Sequence, residues 1–222
     1  MLRRAAYAVL ARSLRRKFRR IVWEGPWHPP PADRPFVLYG NHHAFYDAQI
    51  LGLLTERMLG RRTVVWMEEL DRFPFLAVLG ALPFPGDDAS RRLRTIRRTA
   101  RLMRRRPDTA LIYFPEAHLH PIEDGVLDFP ENRFERLARV RAGAWWWPVV
   151  VRVSGWHAAT PTATLAGGAP HERPTGRERE TLTALSEALA GAAPRERRVL
   201  VDGRPGPHER WDMTPLGRWF VR

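Results

Sequence analysis

In the segment FVLYGNHHAFYDAQI, Phe36 to Ile50, a short apolar run ends in Gly40 and is followed at once by Asn41, His42, His43 and Asp47. An imidazole, with an unperturbed pKa of roughly 6.5, takes up and returns protons near neutrality, and a carboxylate beside it fixes its tautomer. His42 and Asp47 are therefore read as a general base and its orienting partner. The spacing alone says little, since about 0.4 such pairs arise by chance in a chain of this composition. His28 and Asp33 share it, but Pro29, Pro30 and Pro31 between them enforce an extended chain that carries the two apart. On a continuous helix, residues five apart lie about 140° from one another. His42 must then sit in the turn before a helix, with Asp47 in the first turn reaching back. A strand-to-helix junction of this kind is where ligands and catalytic groups collect in α/β sheets. On this segment alone, a histidine that caps the helix, with Asp47 favouring its positive end, remains an equal alternative.

A second group lies in FPEAHLHP, Phe114 to Pro121, where an apolar run ends in Pro115 and Glu116. Glu116 is expected at another strand end, on the same rim as His42. Together the two segments resemble the glycerolipid acyltransferase superfamily, which includes lysophosphatidic acid and glycerol-3-phosphate acyltransferases. That family's first block is Asn-His, four residues, then Asp, matched by Asn41, His42 and Asp47. The run-in to its second block is matched by FPFLAVLGALPFPGDD, Phe73 to Asp88, without the arginine that follows; Arg91, Arg92 or Arg94 can substitute. Its third block, Phe-Pro-Glu-Gly-Thr and then arginine, is matched at Phe114, Pro115 and Glu116, while Ala117 and His118 replace Gly-Thr and the arginine is missing. The fourth, an apolar strand with a proline, corresponds to Trp147 to Val151.

The resemblance implies transfer of a fatty acyl group from a thioester, on coenzyme A or acyl carrier protein, to the hydroxyl of a lipid acceptor such as a lysophospholipid or glycolipid. His42 and Asp47 would be catalytic, and Asn41, Pro115, Glu116, Arg91, Arg92 and Arg94 would bind substrate. No cofactor or metal is implied. Chemically this is consistent: His42 removes the acceptor's proton, Asp47 stabilises the imidazolium, and no protein nucleophile is needed in a chain with no cysteine. Loss of both family arginines favours an acceptor held through hydroxyls over one held through phosphate, which arginine's fork grips best. Two other readings compete. One is a metal-dependent hydrolase using His42, His43, Glu116, His118 and His120. The other is a non-enzymatic basic protein binding membrane or nucleic acid, although no nucleic-acid motif accompanies the charge and no nucleic-acid partner is expected.

The elements that must position these residues alternate. Strands are expected at Phe36 to Tyr39, Thr63 to Met67, Gly80 to Phe84, Thr109 to Phe114, Trp147 to Ser154, Thr162 to Leu165 and Arg197 to Val201. Helices are expected at Phe45 to Leu59, Leu70 to Leu79, Ala89 to Arg105, Arg133 to Val140 and Arg177 to Leu189. This pattern predicts a single α/β domain with a central mixed, largely parallel sheet flanked by helices, preceded by a basic amphipathic N-terminal helix. The expected divisions are 1–24 for that helix, 25–35 for a proline-rich connector and 36–222 for the acyltransferase-like domain.

From Leu2 to Val22 the apolar residues Leu2, Ala6, Leu10, Leu14, Phe18 and Ile21 draw one stripe, and eight basic residues occupy the rest. Within a net charge of +13, carried by arginines and the single lysine Lys17, this helix is read as lying on an anionic membrane surface. The alternative is a helix packed on the domain by that stripe. No apolar run approaches the 20 or so residues of a membrane span, and the early arginines do not fit a signal peptide. The expected location is cytoplasmic, peripheral on the inner face of the cell membrane.

Overall fold

Phe36–Tyr39 is buried at all four positions, which requires a strand covered on both faces. Phe36 and Leu38 enter one apolar cluster and Val37 and Tyr39 the other, the alternation that a period of two dictates. In a computed structural model of the chain, residues 2–130, 132–140, 143–155, 160–191 and 196–205 are described. They begin with helix α1 (Leu2–Lys17), strand β1 (Arg20–Glu24), strand β2 (Phe36–Tyr39) and helix α2 (Asp47–Leu53), which runs on into a π-helical turn, Leu54–Met58. Strand β3 (Arg62–Met67), a 3-10 turn (Pro74–Leu79), strand β4 (Ala81–Pro83), helix α3 (Ala89–Arg105) and strand β5 (Thr109–Tyr113) follow. Helix α4 (Asn132–Val140), strands β6 (Trp145–Ser154) and β7 (Thr162–Gly167), helix α5 (Glu178–Ala190) and strand β8 (Arg197–Asp202) complete the set.

The eight strands form one sheet in the order β4-β3-β5-β2-β6-β7-β1-β8. Every pairing from β4 to β6 is parallel, β6 and β7 are antiparallel, β7 and β1 parallel, and β1 and β8 antiparallel. The expected class, a single α/β domain on a mixed and mostly parallel sheet, is what the chain adopts. Ala11, Leu14, Phe18, Ile50 and Leu51 of α1, α2 and their flanks cover one face. Met103, Phe134, Leu137, Leu182 and Leu189 of α3, α4 and α5 cover the other. Trp146 and Trp147 lie in the two cores, one on each side.

Several elements differ from expectation. The N-terminal helix stops at Lys17, and Arg20–Glu24 enters the sheet between β7 and β8. Ile21, Val22 and Trp23 are β-branched or aromatic, and burial on both faces of a sheet outweighs their place in a helical stripe. The stripe that packs is Tyr7, Ala11 and Leu14, continued by Phe18, and Leu2 is 72% exposed. Arg3 makes a two-pronged pair with Glu56 at 2.7 and 2.8 Å and donates to the Thr63 carbonyl, while Tyr7 Oη donates to the Leu79 carbonyl. Burial pushes the Tyr7 phenol up to about 12. Thus α1 and β1 share the core of residues 36–205. The helix expected over Leu70 to Leu79 shrinks to a 3-10 turn, since Pro74 cannot donate within a longer one. The extreme C-terminal residues 206–222 lie outside the described residues.

Candidate active site

The carboxyl ends of β2 and β5, adjacent and parallel, build the site. Gly40 ends β2: its N–H donates to the Tyr113 carbonyl at 3.1 Å, and a Cβ there would collide with the Val149 carbonyl. The glycine lets the chain leave the sheet between two neighbouring strands and turn at once. Asn41 holds that turn. Its side-chain Nδ2 donates to the Val151 carbonyl and its Oδ1 accepts from the Val151 N–H, both at 2.9 Å, as a strand residue would. Asn41 Nδ2 also reaches His43 Nδ1 at 2.8 Å.

The turn brings His42 and Asp47 together. Asp47 is fully buried at the start of α2, and its Oδ2 accepts from His42 Nδ1 at 3.2 Å, His43 N–H at 2.9 Å and Ala44 N–H at 2.8 Å. A carboxylate gripped by two backbone donors is fixed before it meets the imidazole. Phe114 stacks on the His42 ring, centroids 4.2 Å apart and 17° from parallel. With the ring held by Asp47 and Phe114, Nδ1 carries the proton it gives to Asp47, and Nε2 keeps its lone pair. No described residue engages Nε2, and the side chain is 22% exposed. That is the arrangement of a general base open to the surface.

Glu116 approaches His42 from the other side. Its Oε2 accepts from the His42 backbone N–H at 2.6 Å and its Oε1 from the Leu127 N–H at 2.8 Å. The side chain is fully buried. Its two oxygens thus hold the backbone of the turn that carries His42 and of the loop at Leu127. His120 Nε2 lies 3.1 Å from Oε1 but lacks the alignment of a hydrogen bond, and its Nδ1 is 2.9 Å from the Pro121 carbonyl. Ala117 follows Glu116 with φ of 64°, a left-handed conformation that costs a residue with a Cβ about 1–2 kcal/mol.

The other expected site residues are placed as follows. The Pro115 carbonyl accepts from Arg133 Nη1 at 2.6 Å. Arg91 makes a two-pronged pair with Asp71 at 2.5 and 2.6 Å, Arg92 donates to the carbonyls of Pro85 and Gly86, and Arg94 donates to Ser90 Oγ at 3.2 Å. None of the three touches His42, Asp47 or Glu116. His118 is exposed, and among the described residues no three His, Asp or Glu side chains converge as metal ligands. The sequence offered no signal for Arg133, which comes from another element, or for the Leu127 N–H. Phe114 was legible as part of the third block, though not as the plate under His42.

His43 is the buried neighbour of this pair. Burial lowers its pKa, opposed by Asp47 and Glu116 and reinforced by His120 and Arg152. Nδ1 faces the Asn41 amide nitrogen and Nε2 the Val153 N–H at 3.2 Å, donors that also disfavour a second ring proton. The folded state therefore keeps His43 neutral below the pH at which the unfolded chain protonates it, and stability falls as pH drops below about 6.5 toward the folded value. His43→Gln cannot charge. In urea unfolding at pH 7.5 and 5.5, the parent's stability advantage over this variant is expected to shrink at the lower pH. An unchanged difference would contradict the buried neutral assignment.

No protein-family model and no curated protein matches the chain. Among solved structures, it resembles the crystal structure of the 1-acyl-sn-glycerophosphate (LPA) acyltransferase PlsC from Thermotoga maritima, with a TM-score of 0.57 and 18% identity over 86% of this chain and 83% of that one. At this identity the likeness is one of fold.

Proposed function

We propose that the chain is an O-acyltransferase that moves a fatty acyl group from a thioester to a hydroxyl of a lipid acceptor. The observation that carries the reading is the His42–Asp47 pair at the carboxyl rim of the parallel sheet, with Nε2 free, in a fold like that of a lysophosphatidic acid acyltransferase. In the proposed reaction His42 Nε2 takes the proton of the acceptor hydroxyl as its oxygen attacks the thioester carbonyl. Asp47 stabilises the imidazolium. The C–S bond then breaks, an ester is released, and the leaving thiolate takes the proton back from Nε2. Glu116 acts in this scheme by fixing the His42 backbone, so that Nε2 meets the hydroxyl in one geometry.

The acceptor is proposed to be delivered from a membrane surface. Among the described residues no helix is long and apolar enough to cross a bilayer. The outward side of α1 instead presents Leu2 and Val9 beside Arg12, Arg16 and Lys17, and the 3-10 turn packed against α1 exposes Phe75. Apolar side chains next to cations suit an anionic interface. Phe45 and Leu119 are likewise exposed on the segments that carry His42 and Glu116.

Purified protein given palmitoyl-CoA or a palmitoylated carrier protein, with a lysophospholipid or glycolipid in anionic vesicles, is expected to release free thiol only when the acceptor is present, forming one acylated lipid per thiol. Thiol release that ignores the acceptor would identify a thioesterase instead. Activity lost to a chelator and restored by a divalent cation would favour the hydrolase reading.

A further inference from the structure

Helix α3 is built from two unlike sides. Thr95, Thr99, Ala100 and Met103 are buried against the sheet, while Arg94, Arg97, Arg98, Arg101, Arg104 and Arg105 are exposed. The helix contains no Asp or Glu. Arg91 and Arg92 are committed to Asp71 and to backbone carbonyls. Arg97, Arg98, Arg101, Arg104 and Arg105 have no carboxylate, carbonyl or aromatic partner among the described residues. Residues three and four apart on a helix are surface neighbours, so these guanidinium groups repel one another unless an outside anion intervenes. Arg97, Arg98, Arg101 and Arg104, together with Arg94 and Pro83, line an open groove of about 810 Å³.

We propose that this face docks an acidic acyl-carrier protein that presents the thioester, an inference that rests on the acyl-transfer reading above. Three observations point to such a partner. The helix leaves the carboxyl end of β4, which lies in the same parallel array as β2 and β5, so α3 starts on the rim side where His42 sits, and the row of free cations begins at Arg97, about two turns along it. The row then runs to Arg105 over about two and a half turns, a longer track than one phosphate needs and one that matches acids spaced along a partner helix. A lipid surface fits it poorly, because Leu93 is the only large apolar side chain of α3 that is strongly exposed. Leu2, Val9 and Phe75 belong to the α1 side, and α1 and α3 cover opposite faces of the sheet.

The test is the triple charge reversal Arg97→Glu, Arg101→Glu, Arg104→Glu, at exposed positions with no partner to lose. With a palmitoylated carrier protein as donor, kcat/KM is expected to fall on the order of 10- to 100-fold, as for other lost electrostatic steering. With palmitoyl-N-acetylcysteamine, which has neither carrier nor nucleotide, it is expected to stay unchanged. Anisotropy of a labelled carrier protein should show binding to the parent and none to the triple variant. Carrier binding that survives the reversals overturns the proposal. So does a loss confined to palmitoyl-CoA, which would assign the face to nucleotide phosphates, or a loss confined to flotation on phosphatidylglycerol vesicles, which would assign it to the membrane. Because binding is read without turnover, failure of every donor to release thiol would sink the acyl-transfer reading alone.

Discussion

His42→Ala is expected to lower acceptor-dependent thiol release by about 10²–10⁴-fold, the usual worth of a positioned general base, with folding intact. The ring is partly exposed and fills no core position; its loss uncovers Phe114 and leaves Asp47 two backbone donors. Asp47→Asn separates charge from geometry. His42 Nδ1, His43 N–H and Ala44 N–H all meet on Oδ2, so the amide oxygen takes that place and keeps the three contacts, but it carries no charge to stabilise the imidazolium. The base is then weakened in a nearly unaltered site, and kcat should drop on the order of 10³-fold or more, the scale of the same change in a serine-protease triad. Acceptor KM should change little. Full activity in either variant would remove His42 as the base. An Asp47→Asn loss seen only as a higher KM would mean that Asp47 serves binding.

Glu116→Ala is expected to be the most damaging substitution for the fold and the site together. It leaves the half-buried N–H groups of His42 and Leu127 without their acceptor, at about 1–2 kcal/mol each, so chemical unfolding should show a loss of about 2–4 kcal/mol. The catalytic turn loses its anchor at the same stroke, and kcat should fall on the order of 10²-fold, because small displacements of a positioned base are expensive. Glu116→Gln retains one acceptor for one of the two N–H groups and should recover part of the stability. The kinetic split decides what Glu116 does. A group that positions His42 lowers kcat at nearly constant acceptor KM, whereas a group that binds the acceptor raises KM. A rise in KM at unchanged kcat and stability would return Glu116 to the acceptor.

The strands were legible where burial made them continuous apolar runs. Phe36 to Tyr39, Thr109 to Tyr113 and Trp147 to Ser154 carry the centre of the sheet, and their composition leaves little choice. Residues 20–24 were not legible. Ile21 extends the helical stripe of α1, and only pairing with Thr162 to Leu165 and Arg197 to Val201, remote in sequence, makes the strand preferable. The His42–Asp47 pair could be inferred because one turn brings both residues together. What Glu116 does could not, since its partners are backbone N–H groups that no sequence pattern marks. Nor did the sequence show that Arg91 and Arg92 are spent on Asp71 and on loop carbonyls.

The position of β1 also bears on how the molecule is made. Arg20 pairs with Thr162 and Ile21 with Val201, so the strand's neighbours are synthesised well over a hundred residues after it. At roughly 5–20 residues per second, β1 emerges many seconds before the strands that will flank it. During that interval Tyr7 can already reach Leu79, but Ile21, Val22 and Trp23 have no strand beside them. Such distant closure makes folding slow and leaves the nascent N-terminal segment open to chaperones or lipid. The parallel core from β4 to β6 is complete before β7 and β8 exist, and the turn that carries His42 and Asp47 can therefore assemble before the molecule is closed.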